Sequence, residues 1–130
     1  MPVSTRWLNL GLLLGLLAGL AVFLFFPSLF ERFTFCWIKE VTGKPCPSCG
    51  TTRAAFLLVA GDWRASLHMN PLGLLNSLLY LVVVIWLGTD LIRGSSSFWR
   101  FVRRPWPAPF LWALGILMLG NWWWNLSKGL

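Results

Sequence analysis

Charge is what this sequence has least of: 12% of its 130 residues are charged, and only four are Asp or Glu against eleven Lys and Arg. A soluble domain needs a polar skin, and 57% hydrophobic residues with a mean hydropathy of +0.68 leave too little for one. Catalytic furniture is equally sparse. There is no pairing of carboxylates for acid–base hydrolysis and no Ser-His arrangement, and the chain holds a single histidine. Nothing resembles a phosphate-binding loop or a nucleic-acid module. Three cysteines are too few for a disulfide scaffold, and Gly50 rather than His follows Cys49, which disfavours haem attachment.

What is present is apolar length. Trp7 to Phe26 is a run of about twenty uncharged residues, enough to cross a hydrocarbon core of about 30 Å. A cleaved signal peptide is the rival reading, but the run exceeds a usual signal core and no small-x-small site follows it. A second span is expected over 71–92, opened by Asn70-Pro71, and a third over 110–126, ending in the aromatic belt Trp122-Trp123-Trp124. Phe30, Phe33 and Phe35 interleave with Glu31 and Arg32 in an interfacial pattern, and Trp37 to Lys44 should be wet. The expected fold is an all-α membrane protein, one domain of three transmembrane helices, with a short interfacial or re-entrant helix after the first.

Within these spans, Gly11, Gly15 and Gly19 recur every four residues, a stripe on which another helix can pack. Asn76 falls within the second span, where an amide is expected to bond across helices, and Asn121 and Asn125 share one face of the third. The net charge of +7 is spread over interhelical segments, so anionic lipid rather than nucleic acid is the expected partner. Three spans put Arg6, Arg93, Arg100, Arg103 and Arg104 on one side, and the other six basic residues opposite. The dense arginine cluster favours the first side as cytoplasmic, leaving the cysteine loop outside.

Between the first two spans lies the one stretch with chemistry, Cys46-Pro47-Ser48-Cys49-Gly50-Thr51-Thr52-Arg53. Two thiols separated by two residues can face one point, closing a small disulfide or gripping one metal ion. Pro47 stiffens the turn, Gly50 lets the backbone bend, and Thr51 to Ala60 reads as a helix ended by Gly61. Thr51 or Thr52 is its expected cap. Asp62 caps a further turn, Trp63 to His68. Arg53 falls on the same helical face as Cys49, where it adds positive field or simply reaches for water.

Cys36, the string Cys46 to Arg53, then Gly61-Asp62, Ala65 and Asn70-Pro71 together resemble a family of small bacterial integral membrane proteins classed as a domain of unknown function. Its signature is Cys-Pro-x-Cys-Gly-x-Thr-Arg followed by Gly-Asp and Asn-Pro. The resemblance implies a compact multi-spanning helical protein of the bacterial cytoplasmic membrane and implies no reaction. It carries no role for His68, which lies where the family pattern has an aromatic or small residue before Asn-Pro.

Three functions fit these residues. Cys36, Cys46 and Cys49, with His68 as fourth ligand, supply a tetrahedral set for zinc, though His68 also suits a plain interfacial position. Cys46 and Cys49 ahead of a helix suit a membrane thiol–disulfide oxidoreductase, although no βαβ pattern flanks them. The favoured expectation is an accessory or scaffold protein with a cysteine-based structural or metal site, docked on a larger membrane partner or on a second copy through its glycine and asparagine faces.

Overall fold

The computed structural model describes residues 2–32 and 36–129, without the side chains of Glu31 and Arg32. The interfacial pattern expected of Glu31, Arg32, Phe33 and Phe35 therefore lies outside the described residues. Among the described residues eight helices follow in order: α1 (Val3–Phe25), α2 (Pro27–Arg32), α3 (Trp37–Thr42), α4 (Thr51–Val59), α5 (Trp63–Met69), α6 (Pro71–Arg93), α7 (Ser97–Val102) and α8 (Ala108–Lys128). No strand occurs among the described residues.

The boundaries follow local rules. Pro27 has no N–H to continue α1, and the same lack costs nothing at the first position of α2. Asp62 caps α5, its carboxylate accepting from the Ala65 N–H at 2.9 Å. Gly61 turns the chain between α4 and α5 at φ +87°, a conformation open to glycine at little cost. The short helices α2, α3 and α7 were not expected. Each is six residues long, too short for hydrophobic periodicity to register.

Two helices, α1 and α6, are long and apolar enough to cross a membrane. The expectation of a third crossing over 110–126 is thereby corrected. The helix forms and has 21 residues, but Asn121, Asn125, Ser127 and Lys128 with three Trp in its last turns dilute its apolar character.

The chain divides into two units. The first comprises Met1–Glu31 with Leu79–Pro105. Here the Tyr80 hydroxyl donates to the Leu16 carbonyl, and Trp99 Nε1 donates to the fully buried Asn9 Oδ1 at 2.5 Å. Asp90, 2% exposed, accepts from Ser95 Oγ, from Ser97 Oγ at 2.6 Å and from the Phe98 N–H at 2.9 Å, holding α7 at the end of α6. Of the glycine stripe, only Gly19 has a neighbour: a Cβ there would lie 3.9 Å from the Tyr80 hydroxyl, whereas Gly11 and Gly15 face open space.

The second unit comprises Arg32–Leu78 with Trp106–Leu130. The helices α4 and α5 are tied by Ser66 Oγ, which donates to the Ala54 carbonyl at 2.6 Å with both residues fully buried. The first turns of α6 press against the start of α4 at Gly73. A Cβ built at that position would stand 2.8 Å from Ala54 Cβ, 3.0 Å from Thr51 Cα and 3.1 Å from the Thr51 carbonyl oxygen. Only a residue without a side chain permits that approach. Asn76, expected to bond across helices, is exposed one turn further along.

Candidate metal centre

The loop from Lys44 to Gly50 contains two prolines, which remove two backbone donors while leaving every carbonyl. Those carbonyls must find partners elsewhere, and asparagine and tryptophan side chains supply them. Asn70 Nδ2 donates to the Cys49 carbonyl at 2.8 Å, Asn121 Nδ2 to the Pro47 carbonyl at 2.7 Å, and Trp122 Nε1 to the Pro45 carbonyl at 3.0 Å. Asn125 Nδ2 sits within reach of three, at 3.2 Å from Cys46 O, 3.0 Å from Pro47 O and 3.4 Å from Cys49 O.

Two of these amides work at both ends. Asn70 Oδ1 accepts from the Leu72 and Gly73 N–H groups at 3.0 and 3.2 Å, so the residue before Pro71 caps α6 while its amino group holds the cysteine loop. Asn121 Oδ1 accepts from the same Leu72 N–H at 3.1 Å. The third differs. Asn125 is fully buried, yet its Oδ1 has no hydrogen-bond partner.

Held this way, the loop gathers its thiols. The three sulfurs of Cys36, Cys46 and Cys49 all lie within 4.8 Å of one another, with Cys46 Sγ 3.1 Å from Cys49 Sγ and Cys49 Sγ 3.4 Å from Cys36 Sγ. None is disulfide-bonded. A tetrahedral zinc with sulfur bonds of about 2.3 Å sets its thiolates about 3.8 Å apart, so small shifts would fit the cluster to one ion. Gly50, at φ +84°, turns the chain from Cys49 into α4, and the Thr51 hydroxyl bonds back to the Ser48 carbonyl at 2.7 Å. The expected cap at Thr51 or Thr52 is corrected: Gly50 stands at the cap of α4, with no side-chain hydrogen bond, because the Thr51 hydroxyl is turned back to the preceding loop.

The thiols differ in acidity. Burial opposes ionisation of Cys46, but hydrogen bonds from Ser48, Cys36 and Cys49 outweigh it and bring the thiol down to about 7. Burial pushes Cys49 up, and its place beside Cys46 adds to the effect, reaching about 12. One proton shared between adjacent sulfurs accounts for the split.

His68 does not join the cluster. Its ring packs edge-on against Trp124 at 5.9 Å between centroids, and its carbonyl accepts from Trp124 Nε1 at 3.1 Å. Lys128 Nζ sits 4.4 Å over the ring of the same tryptophan. Arg53 is exposed on α4. Among the described residues no further His, Cys, Asp or Glu joins the three cysteines.

Sequence reasoning placed Asn121 and Asn125 on one helical face but gave them no role at the loop. It also set helix packing on Gly11, Gly15 and Gly19, where Gly73 makes the close approach. The signal was the lone pair of amides four apart in an apolar helix, opposite a loop rich in proline.

No curated protein and no solved structure matches the chain. The family model described as Protein of unknown function (DUF2752) matches residues 36–87, the stretch carrying the cysteine loop, α4, α5 and most of α6.

Proposed function

We propose that the protein is a small multi-pass accessory protein of the bacterial cytoplasmic membrane whose outward-facing cysteine loop holds one zinc ion on Cys36, Cys46 and Cys49. The observation that carries the metal is the convergence of three sulfurs from two separate stretches of chain within 4.8 Å. Thiolates at this spacing repel one another, and a cation among them turns that repulsion into binding. The ion would tie the residue before α3 to the turn before α4 and hold the loop against α8. The function is then mechanical: a fixed loop presented at the membrane surface to a larger assembly.

The membrane reading is supported by what the two apolar helices leave uncovered. Their most apolar windows are only 6% and 11% buried, whereas a core helix of a soluble protein is mostly enclosed. Ile85 is 65% exposed and Leu14 58%, surfaces that water penalises and lipid tails accept.

A second reading, a thiol–disulfide oxidoreductase, is favoured by the uneven acidity of Cys46 and Cys49. A thiol near 7 beside one near 12 matches the division between an attacking thiolate and its resolving partner.

Metal content and free thiols, measured on the same detergent-purified sample with Cys49→Ser as control, separate the two. Near-stoichiometric zinc that the variant loses is the expected result. A metal-free protein with a single free thiol would replace the metal centre by a disulfide and make redox turnover the next assay.

A further inference from the structure

We infer that the metal centre has three protein ligands and an exchangeable fourth position, filled by solvent at rest and open to exogenous thiolates; this rests on the metal reading proposed above. Structural zinc sites are closed by four protein ligands, whereas sites that bind and release a ligand keep one position for it. The described residues supply Cys36, Cys46 and Cys49 and no fourth His, Cys, Asp or Glu. The chain's one histidine is turned to Trp124.

An independent observation lies beside the cysteine loop. Asn125 is fully buried, and its amino group is within hydrogen-bond distance of the carbonyls of both Cys46 and Cys49, so the amide belongs to the shell around the cysteines. Its Oδ1 lacks a donor. A buried carbonyl oxygen left without one carries an uncompensated desolvation cost. A metal-bound water is a strong donor because the cation acidifies it, and groups that orient such ligands commonly lie one shell out from the metal.

The chemical class admitted at the fourth position follows from the other three. A centre already held by sulfur favours a further soft donor. Exchange would be a balanced ligand substitution: the incoming thiol would release its proton to bulk solvent, its sulfur would form the new metal bond, and the water ligand would leave to solvent. No electron moves. The partner presented to this loop would therefore be a cysteine-bearing peptide or a small thiol, bound reversibly through the metal.

The test uses the whole protein in detergent, loaded with cobalt in place of zinc and titrated with 2-mercaptoethanol, with X-ray absorption on the zinc form. The expected outcome is three sulfur and one oxygen neighbour at rest, and a sulfur-to-cobalt charge-transfer band that grows by about one third as a fourth sulfur enters. His68→Ala should leave both spectra unchanged, as should Glu31→Gln, which removes a carboxylate outside the described side chains. A four-ligand protein set, seen as an imidazole in the absorption spectrum or as a change in either variant, would overturn the open position while leaving the metal centre intact. Indifference of the cobalt band to thiol would do the same. Failure to bind cobalt or zinc at all would overturn the metal reading itself.

Discussion

Replacing Gly73 by Ala should be the most informative single-atom perturbation of this fold. One carbon is added 2.8 Å from Ala54 Cβ and about as close to two backbone atoms of Thr51, none of which is the yielding end of a flexible side chain. Forcing atoms into a well-packed site costs about 1–3 kcal/mol, while Ala in place of Gly within a helix returns up to about 1 kcal/mol. Gly88 provides the control: it lies in the same helix, and a Cβ there meets nothing within 4 Å. Gly88→Ala should therefore be neutral or gain up to about 1 kcal/mol, and because both variants share the helix gain they should differ by the overpacking cost, about 1–3 kcal/mol. Thr51 follows directly on Gly50, so the displaced backbone is that of the cysteine turn, and Gly73→Ala should also raise the alkylation rate of the cysteines. Denaturant unfolding in detergent, followed by tryptophan fluorescence, reads the stability difference. Equal stabilities would refute the close approach of α6 to α4.

Asn70→Ala should remove both a helix cap and the donor to the Cys49 carbonyl, lowering stability by about 2–4 kcal/mol in the same assay; Asn70→Asp, which keeps the cap but not the donor, should fall between. Zinc affinity should rise with pH, because each thiol must lose its proton to bind. Cys49, at about 12, contributes about tenfold per pH unit throughout the accessible range, and Cys46, at about 7, adds a second factor of about ten per unit below that value. Chelator competition at three pH values checks this, and a flat profile would count against a thiolate site. For the metal-free protein the signs oppose. The Cys46 pKa is depressed, so its contribution to stability is present at alkaline pH and lost as pH falls through about 7. That of Cys49 is raised, so its contribution holds below the ordinary thiol range and is lost as pH climbs toward 12. Alkylation of the reduced, metal-free protein should accordingly show one thiol titrating near 7 and a second that stays unreactive at moderately alkaline pH.

Legibility in the sequence followed the range of the interactions. The Asp62 cap, the start of α6 at Pro71 and the turn at Gly50 are set by residues within three or four positions, and each stands where local chemistry puts it. The convergence of Asn70, Asn121, Trp122 and Asn125 on the loop carbonyls spans 21 to 79 residues, and no periodicity encodes it. Gly73 carries no local mark either: its need for a bare backbone arises only because α4 arrives there. His68 looked available because it was unique, and composition alone says nothing of the tryptophan that occupies its ring. The third crossing was over-read because aromatic belts and apolar length were weighed together, though indole and amide groups lower hydropathy in the same window that the leucines raise.

The carbonyl clamp on the cysteine loop also sets an order of events during synthesis. Pro45, Cys46 and Pro47 are translated more than seventy residues before the Asn121, Trp122 and Asn125 side chains that hold them. At typical elongation rates of about 5–20 residues per second, the nascent loop waits several seconds without those partners. Through that interval its carbonyls are bonded to water and its thiols are open to whatever oxidant or ion arrives first. Maturation of the cysteine loop is thus completed from the far end of the chain, once α8 has closed over it.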